Sequence, residues 1–174
     1  MDATHSSGDD AGRARFHLRE PRADDLDWIV RRHGELYREE YGWDERFEAL
    51  VADVVRRFAR DLDPARERAW IAELDGRNVG CVLLVREPDS ADTARLRLLL
   101  VEPAARGLGL GRALVRECAS FARAVGYRRI VLWTNDVLTS ARRIYEAEGY
   151  HLVREEPHAM FGHGLVGQTW ALEL

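Results

Sequence analysis

The residues of this chain whose spacing best suits chemistry are the glycines of segment 106–112, which reads Arg-Gly-Leu-Gly-Leu-Gly-Arg. The segment follows an apolar run that ends at Val101, and a helical pattern begins directly after it. Alternate glycines allow a tight turn and let a ligand approach the backbone closely. The unpaired N–H groups and the dipole of a helix N-terminus favour an anion. The segment therefore predicts a cradle for phosphate or pyrophosphate.

The spacing separates this segment from two other phosphate-binding patterns. Dinucleotide-binding folds use G-x-G-x-x-G with an acidic residue about 20 positions later. Here the spacing is G-x-G-x-G, and the next strand pattern ends in Trp-Thr-Asn without an acid. The P-loop needs Lys and Ser or Thr after its last glycine, whereas Arg112 and Ala113 follow Gly111. On these residues alone, a glycine-rich tight turn without a ligand is the alternative.

A second motif downstream connects the glycine segment to a known family. The first motif has the form Arg-x-x-Gly-x-Gly, and the second, at the end of a helical pattern, has the form Tyr-x-x-x-Gly-aromatic. Their residues are, in order, Arg106, Gly109, Gly111, Tyr145, Gly149 and Tyr150. In this order and at this separation the motifs resemble the acetyl-CoA signature of the GNAT acyltransferases. The resemblance implies an α/β (α+β) fold with one mixed, mostly antiparallel central sheet, helices on both faces, and the order β-α-α-β-β-β-α-β-α-β-β.

Three further segments have a narrower resemblance. Residues 41–47, 161–163 and 166–170 are similar to the acetyltransferase half of proteins that fuse a GNAT domain to a MarR-type DNA-binding domain. We expect no helix-turn-helix module within this sequence, because its whole length is accounted for by the acetyltransferase pattern.

The resemblance implies acetyl-CoA as cosubstrate, with contacts along the strand end, the glycine segment and the following elements. Main-chain groups at Val101 would hydrogen-bond the pantetheine arm as a neighbouring strand would. The guanidinium groups of Arg106 and Arg112 suit phosphate geometry, although both could simply be solvated. Asn135 contacts the pantetheine or only ends its strand. The expected contacts are Leu100, Val101, Arg106, Gly107, Leu108, Gly109, Leu110, Gly111, Arg112, Asn135 and Ala141.

Tyr145 is the expected catalytic residue. When an amine attacks a thioester, a phenol within hydrogen-bond reach can protonate the departing thiolate. A packed core aromatic beside Gly149 is the alternative, because the neighbouring Ile144 has the character of a core residue.

The sequence offers several candidates for the general base and does not single one out. In family members that use one, it is often a glutamate of the strand before the glycine segment, but this strand carries arginines, and Glu102 beyond it is expected in solvent. A water molecule is one alternative. A histidine suits the task because its ordinary pKa is about 6.5. The side-chain candidates are His33, Glu40, His158 and His163, each with a plain surface position as its alternative.

A pocket for the acceptor is predicted on the first helix. His33, Tyr37 and Tyr41 recur every four residues and so share one helix face. Other apolar residues of that helix supply a core-facing stripe, which leaves this face available for a substrate. Arg97, or the other arginine of the same strand, would favour an acceptor that carries a carboxylate.

Apolar periodicity and turn residues predict the elements that position these groups. A helix capped by Asp24 or Asp25 is expected to run to residue 40, and Asp75-Gly76 is expected to form a hairpin turn. The other expected helices are 44–62, 109–124 and 138–148, and the expected strands are 15–19, 68–74, 78–85, 93–101, 127–134, 150–155 and 167–174.

Composition limits the class of protein. A chain of 174 residues, 46% hydrophobic and 32% charged, predicts one domain at 14–174 after a flexible tail at 1–13. A net charge of −4 gives no electrostatic reason for a nucleic-acid or membrane partner. Cys81 and Cys118 lie among apolar neighbours and predict buried thiols in a cytoplasmic protein. The histidines lack close partners at ligand spacing, so we expect no metal.

These features predict an N-acetyltransferase that transfers the acetyl group of acetyl-CoA to a primary amine of a small molecule by direct attack in a ternary complex. Two alternatives are a non-catalytic acyl-CoA sensor or partner module, and an enzyme that acetylates protein lysines or N-termini. Exposed sheet edges are compatible with a homodimer.

Overall fold

The computed structural model describes residues 16–174, so the predicted tail at 1–13 and the first residues of the predicted domain lie outside the described part. The strands are β1 (His17–Arg19), β2 (Arg68–Leu74), β3 (Arg77–Arg86), β4 (Thr93–Val101), β5 (Arg129–Asn135), β6 (His151–His158) and β7 (Leu165–Glu173). The helices are α1 (Ala23–Tyr41), α2 (Glu45–Asp61), α3 (Leu110–Ala124) and α4 (Thr139–Ala147), with a 3-10 turn at Pro103–Ala105. The predicted order of elements is confirmed.

All seven strands join one sheet in the spatial order β1-β2-β3-β4-β5-β7-β6. Neighbouring strands are antiparallel except for β4 and β5, which run parallel. The predicted hairpin turn joins β2 to β3, and Asp75 and Gly76 both have positive φ, as a type I′ turn requires. The expected mixed, mostly antiparallel sheet is therefore confirmed.

The helices cover both faces of the sheet, and each buries an apolar stripe. Helices α1 and α2 pack on one face through residues such as Ile29 and Val51. Helix α3 packs on the other face through residues such as Leu114 and Val115, with α4 beside it. Cys118 lies in this second core and Cys81 in the first, and both are buried free thiols, as expected.

The start of α1 differs from the expectation. Arg22 is the N-cap residue, and Asp25 lies inside the first turn, where its carboxylate accepts the Arg22 main-chain N–H at 2.6 Å. The same carboxylate contacts Arg19 at 2.6 Å and Asn78 at 2.8 Å. Burial opposes its ionisation, but these hydrogen bonds outweigh burial and lower the pKa of Asp25 to about 2. The predicted cap at Asp24 or Asp25 is wrong, because Asp25 instead ties the helix to β1 and β3.

A β-bulge in the middle of β4 shapes the centre of the molecule. The register with β3 shifts between Cys81 and Leu83, and Leu98 opposite them has a φ of 56°. Leu96 packs on the α3 side of the sheet, whereas Leu100 packs on the α1 side, although simple alternation would place both on one face. The bulge therefore changes which side chains of β4 reach each face.

The parallel pairing of β4 with β5 ends at the bulge. Its last paired residues are Leu96 and Leu132, after which β5 continues beside β7 alone. The edge of residues 97–101 that faces β5 consequently has no strand partner. The sheet opens there, next to the N-terminus of α3.

None of the helices in residues 16–174 is long and apolar enough to cross a membrane. In the same range, no cluster of three or more His, Cys, Asp or Glu side chains is arranged to hold a metal ion.

Candidate active site

A cavity of about 440 Å³ occupies the opening between β4 and α3, and we call it the glycine-loop cavity. Nine of the predicted cofactor residues line it. They are Leu100, Val101, Arg106, Gly107, Gly109, Leu110, Gly111, Arg112 and Ala141. The strand end, the glycine segment and the start of α3 are thus brought together as the sequence predicted.

The glycines of this cavity are needed for two separate reasons. Gly107 and Gly109 have φ values of 81° and 76°, which side chains rarely tolerate, and nothing lies within 4 Å of where their Cβ atoms would be. Gly109 is the N-cap of α3, so the first N–H groups of that helix have no helical acceptor. At Gly111 a Cβ would lie 2.7 Å from the Ile144 side chain, so this glycine allows α3 and α4 to pack. The loop leaves open space for an anion at a helix N-terminus.

Positive side chains surround the loop, but two of them are paired. Arg106 donates to Glu40 at 2.6 Å, and Arg112 is paired with Glu148. Arg143 also lines the cavity, is exposed, and has no ion-pair partner among residues 16–174. Sequence reasoning missed Arg143, although its neighbours at 140, 141 and 144 follow helical spacing and line the same cavity.

Two predicted cofactor residues lie elsewhere. Leu108 is at the tip of the loop, 40% exposed, and does not line the cavity. Asn135 is buried and accepts a hydrogen bond on Oδ1 from the His158 Nε2 atom at 2.6 Å. Asn135 faces a second, smaller cavity instead.

This second cavity has a volume of about 110 Å³, and we call it the acceptor cavity. It is lined by three of the predicted substrate residues, His33, Tyr37 and Arg97, and by Tyr145. The fourth, Tyr41, lines the glycine-loop cavity. The two cavities adjoin, because they have the lining residues Tyr37, Leu99, Leu138 and Ala141 in common.

The aromatic face of α1 is packed rather than open. The Tyr37 ring lies 4.6 Å from the Phe47 ring and 5.2 Å from the Trp43 ring. His33 is stacked on Tyr37 at 5.8 Å and is only 1% exposed. The expectation of a face free of core packing is wrong, because α2 and the segment after Gly42 cover it. The aromatic residues form one wall of the acceptor cavity instead.

Tyr145 lies between the core and the acceptor cavity. It is 4% exposed, and burial raises the pKa of its phenol. The phenol is therefore protonated at neutral pH. Its hydroxyl forms no hydrogen bond with any side chain or main-chain group of residues 16–174, so its proton is available to a ligand.

The two arginines of β4 have different environments. Arg95 is paired with Glu87 through contacts of 2.6 and 3.0 Å. Arg97 is half-buried and has no carboxylate partner within the described range. Burial, followed by repulsion from Arg95, lowers the pKa of the Arg97 guanidinium. Glu87 and Asp53 partly oppose this effect from a distance. Arg97 is thus a half-buried cation at the acceptor cavity that forms no ion pair among residues 16–174.

Glu102 does not lie in solvent, contrary to expectation. It is partly buried and accepts two hydrogen bonds from Arg32, at 2.5 and 2.8 Å. The pairing engages both carboxylate oxygens, so Glu102 is tied to α1 rather than directed at either cavity.

Comparisons with known proteins place this geometry in a family. Residues 25–150 match the model of the acetyltransferase (GNAT) family. The chain is 34% identical over 107 residues to N-acetylaspartate synthetase of Danio rerio, covering 62% of this chain and 38% of that protein. It is 36% identical over 106 residues to N-acetyltransferase family 8 member 2 of Rattus norvegicus, covering 59% of this chain and 45% of that protein. The chain thus spans less than half the length of these two relatives.

Solved structures confirm the fold. The structure of yncA from Salmonella typhimurium with its cofactor acetyl-CoA superposes with a TM-score of 0.73 at 21% identity, covering 91% of this chain and 94% of that one. A ribosomal-protein-alanine N-acetyltransferase from Brucella melitensis has a TM-score of 0.73 at 18% identity, covering 91% and 99%.

Proposed function

The chain belongs to the GNAT acetyltransferase family, and from this premise we propose that it transfers the acetyl group of acetyl-CoA to a primary amine of a small molecule. The observation that carries the proposal is the pair of adjoining cavities. One is built around a glycine loop at a helix N-terminus, and the other contains a buried phenol. A thioester held at their common wall would meet an amine directly, in a ternary complex without an acyl-enzyme.

The glycine-loop cavity suits CoA in two respects. The N–H groups at Gly109 and in the first turn of α3 favour the pyrophosphate. The unpaired edge of residues 97–101 offers main-chain groups to the amides of the pantetheine arm, with Leu100 and Val101 nearest the loop. Acetyl-CoA in the related yncA structure supports this cosubstrate. Arg106 and Arg112 would have to bind the phosphates while each is also paired with a carboxylate of the protein. Arg143 has no such pair among residues 16–174 and is available to the phosphates directly.

Tyr145 would act as the general acid. The amine nitrogen bonds to the thioester carbonyl carbon, the C–S bond breaks, and the sulfur takes the proton of the Tyr145 Oη atom. The amine nitrogen releases one proton as it becomes an amide nitrogen, and a proton returned to the phenolate restores Tyr145. Its burial beside the acceptor cavity keeps the phenol protonated until the thiolate forms.

Arg97 favours an acceptor that carries a carboxylate. Partial burial of a cation that forms no ion pair is costly, and a substrate carboxylate would pair with it. The small volume of the acceptor cavity favours a small amine, since an apolar cavity of about 150 Å³ holds a molecule the size of benzene. The name of a similar protein, N-acetylaspartate synthetase, denotes the synthesis of an acetylated amino dicarboxylate and gives further support.

The other expectations extend this proposal. The chain is proposed to form one domain and to work in the cytoplasm. Within the family, it is proposed to be most similar to the acetyltransferase half of the MarR-type fusion proteins. Strand β6 is exposed almost throughout at one edge of the sheet and is the proposed contact of a homodimer.

The test is a thiol-release assay with acetyl-CoA and a matched panel of amines. L-aspartate and L-alanine carry a carboxylate, ethylamine is alanine without its carboxylate, and a lysine-containing peptide represents protein substrates. Release of CoA with the amino acids supports the proposal, and release with the peptide alone would indicate a protein acetyltransferase. Saturable acetyl-CoA binding without turnover on any amine would indicate a sensor.

A further inference from the structure

We infer that His33 is the group that takes the proton from the acceptor amine, with Nε2 as the accepting atom. This inference rests on the proposed function and adds the general base that the family pattern leaves open in this chain. The arrangement of the imidazole carries this inference. One ring nitrogen is hydrogen-bonded to the helix main chain, the other is buried with no hydrogen-bond partner among residues 16–174, and His33 lines the acceptor cavity.

The hydrogen bonding of the ring decides its tautomer. Nδ1 lies 2.7 Å from the Ile29 carbonyl oxygen, which can only accept, so Nδ1 carries the hydrogen. Nε2 of the neutral ring therefore has a lone pair, and it has no hydrogen-bond partner among residues 16–174. Leaving a buried acceptor unpaired costs about 1–3 kcal/mol. An amine N–H that enters the cavity would remove this cost.

The ring is also held in place and kept neutral. It is stacked on Tyr37 with an angle of 12° between the planes and lies 6.3 Å from the Phe47 ring. Burial lowers the pKa of His33 to about 4, against a smaller opposing effect of the Ile29 hydrogen bond. At neutral pH the lone pair of Nε2 is consequently available rather than protonated.

The other candidate bases are already engaged. Glu40 is paired with Arg106 at the glycine-loop cavity. His158 contacts Asn135 through Nε2 and the Met160 main-chain N–H through Nδ1. His163 is exposed and contacts the Gly42 carbonyl oxygen at 2.9 Å. Among the side chains that the sequence offered as a base, His33 alone combines a position in the acceptor cavity with an unpaired nitrogen.

The proton that the amine releases and the proton that the sulfur takes up can both be exchanged within the acceptor cavity. As the amine nitrogen bonds to the acetyl carbon, its proton passes to Nε2 of His33, while the departing sulfur takes the phenolic proton of Tyr145. The imidazolium then returns its proton to the phenolate, and both side chains regain their starting forms. Burial makes this return favourable, because it disfavours both the imidazolium and the phenolate.

Two substitutions separate proton transfer from packing. In His33→Asn the amide can donate to the Ile29 carbonyl oxygen in place of Nδ1, but nothing replaces Nε2. In His33→Gln the amide reaches the Nε2 position and can hydrogen-bond the amine without accepting its proton. The matched control is His151→Asn, because His151 is exposed on β6 and lines neither cavity.

We expect both His33 variants to lose about 100-fold in kcat, as for removal of a general base. The KM of the acceptor should rise in His33→Asn and stay at the wild-type value in His33→Gln. The dissociation constant of acetyl-CoA, from calorimetry, should be unchanged in both. A kcat close to wild type in either folded variant overturns the inference. If the wild-type protein turned over none of the amines, that result would instead overturn the proposed function.

A measurement on the wild type covers the case in which both variants fail to fold. In protein with ¹⁵N-labelled histidine, the His33 signals at pH 7 should be those of a neutral ring protonated on Nδ1. Addition of ethylamine, with CoA in place of acetyl-CoA so that no transfer occurs, should move the Nε2 resonance. An Nε2-protonated ring, or an Nε2 resonance that does not respond at saturating ethylamine, would contradict the inference.

Discussion

At the scale of single residues, burial disfavours the charged form of two groups that face the acceptor cavity. It raises the pKa of the Tyr145 phenol and so keeps it protonated, and it lowers the pKa of the Arg97 guanidinium, which forms no ion pair among residues 16–174. A phenol that stays protonated can donate a proton, and a half-buried cation without an ion-pair partner attracts an anion. The two side chains therefore have separate proposed tasks, and different kinetic constants should report on them.

Replacement of Tyr145 by phenylalanine removes the proton donor and preserves the packed ring. We expect kcat to fall about 100-fold, as for loss of a general acid, and the dissociation constant of acetyl-CoA to stay at the wild-type value. Steady-state thiol release and calorimetric titration measure the two quantities. The matched control is Tyr150→Phe, which removes a buried hydroxyl from a ring that contacts Tyr145 but lines neither cavity. Unchanged turnover in Tyr145→Phe would rule out the acid role.

Replacement of Arg97 by alanine removes the cation proposed to bind a carboxylate. The KM of L-alanine should rise about 10- to 100-fold, the range expected for one hydrogen bond to a charged group. The KM of ethylamine, which has no carboxylate, should not change. If both amines respond equally in thiol-release assays, Arg97 has no part in carboxylate recognition.

At the scale of elements, the glycine loop and the β4 bulge were predictable to different degrees. The glycine spacing and the start of the following helix are local signals, and they identified six residues of segment 106–112 that the structure brings around one cavity. The bulge at Leu98 has no such signal, because a leucine with positive φ is set by pairing with β3 rather than by its own preference. Strand alternation therefore could not place Arg97 or show that the sheet opens after Leu96.

The helix α1 illustrates a second limit of sequence reasoning. Its four-residue aromatic spacing correctly placed His33 and Tyr37 on one face, and both line the acceptor cavity. Periodicity could not show that α2 and Trp43 pack on the same face, since that contact depends on the path of the chain after Gly42. It also could not assign the tautomer of His33, which follows from one hydrogen bond to the main chain.

Glycine substitutions test the loop as an element. Gly109→Ala and Gly126→Ala both place a side chain at positive φ with no neighbour within 4 Å of the new Cβ atom. Each should lower the free energy of unfolding by about 1–2 kcal/mol from backbone strain. Only Gly109→Ala should also raise the KM of acetyl-CoA, because Gly126 lies at the other end of α3. Equal KM values in the two variants would mean that the loop does not contact the cofactor.

At the scale of the whole molecule, Asp25 links the first helix to two strands and makes stability depend on pH. Its pKa is about 2 in the folded protein, against an ordinary value of 3.8. A carboxyl with a depressed folded pKa stabilises the protein above the unfolded pKa, and that stabilisation is lost as pH falls from about 4 to 2. By this linkage its contribution at pH 7 is about 2 kcal/mol.

The Asp25→Asn variant should therefore be less stable than wild type at pH 7, with a difference that shrinks as pH falls from 4 to 2. Urea unfolding at a series of pH values measures this difference. Asp24→Asn is the control, since Asp24 is exposed in the same turn. A difference between wild type and Asp25→Asn that stays constant from pH 7 to pH 2 would contradict the assigned ion pairing.

The central claim, that the glycine-loop cavity holds acetyl-CoA, is tested most directly by calorimetric titration of the purified protein with acetyl-CoA. The Gly109→Trp variant is titrated beside it, because an indole at the N-cap of α3 would fill the space proposed for the phosphates. The account predicts saturable binding of one acetyl-CoA per chain in the wild type and loss of that binding in folded Gly109→Trp. No binding in the wild type, or equal binding in both proteins, would contradict it.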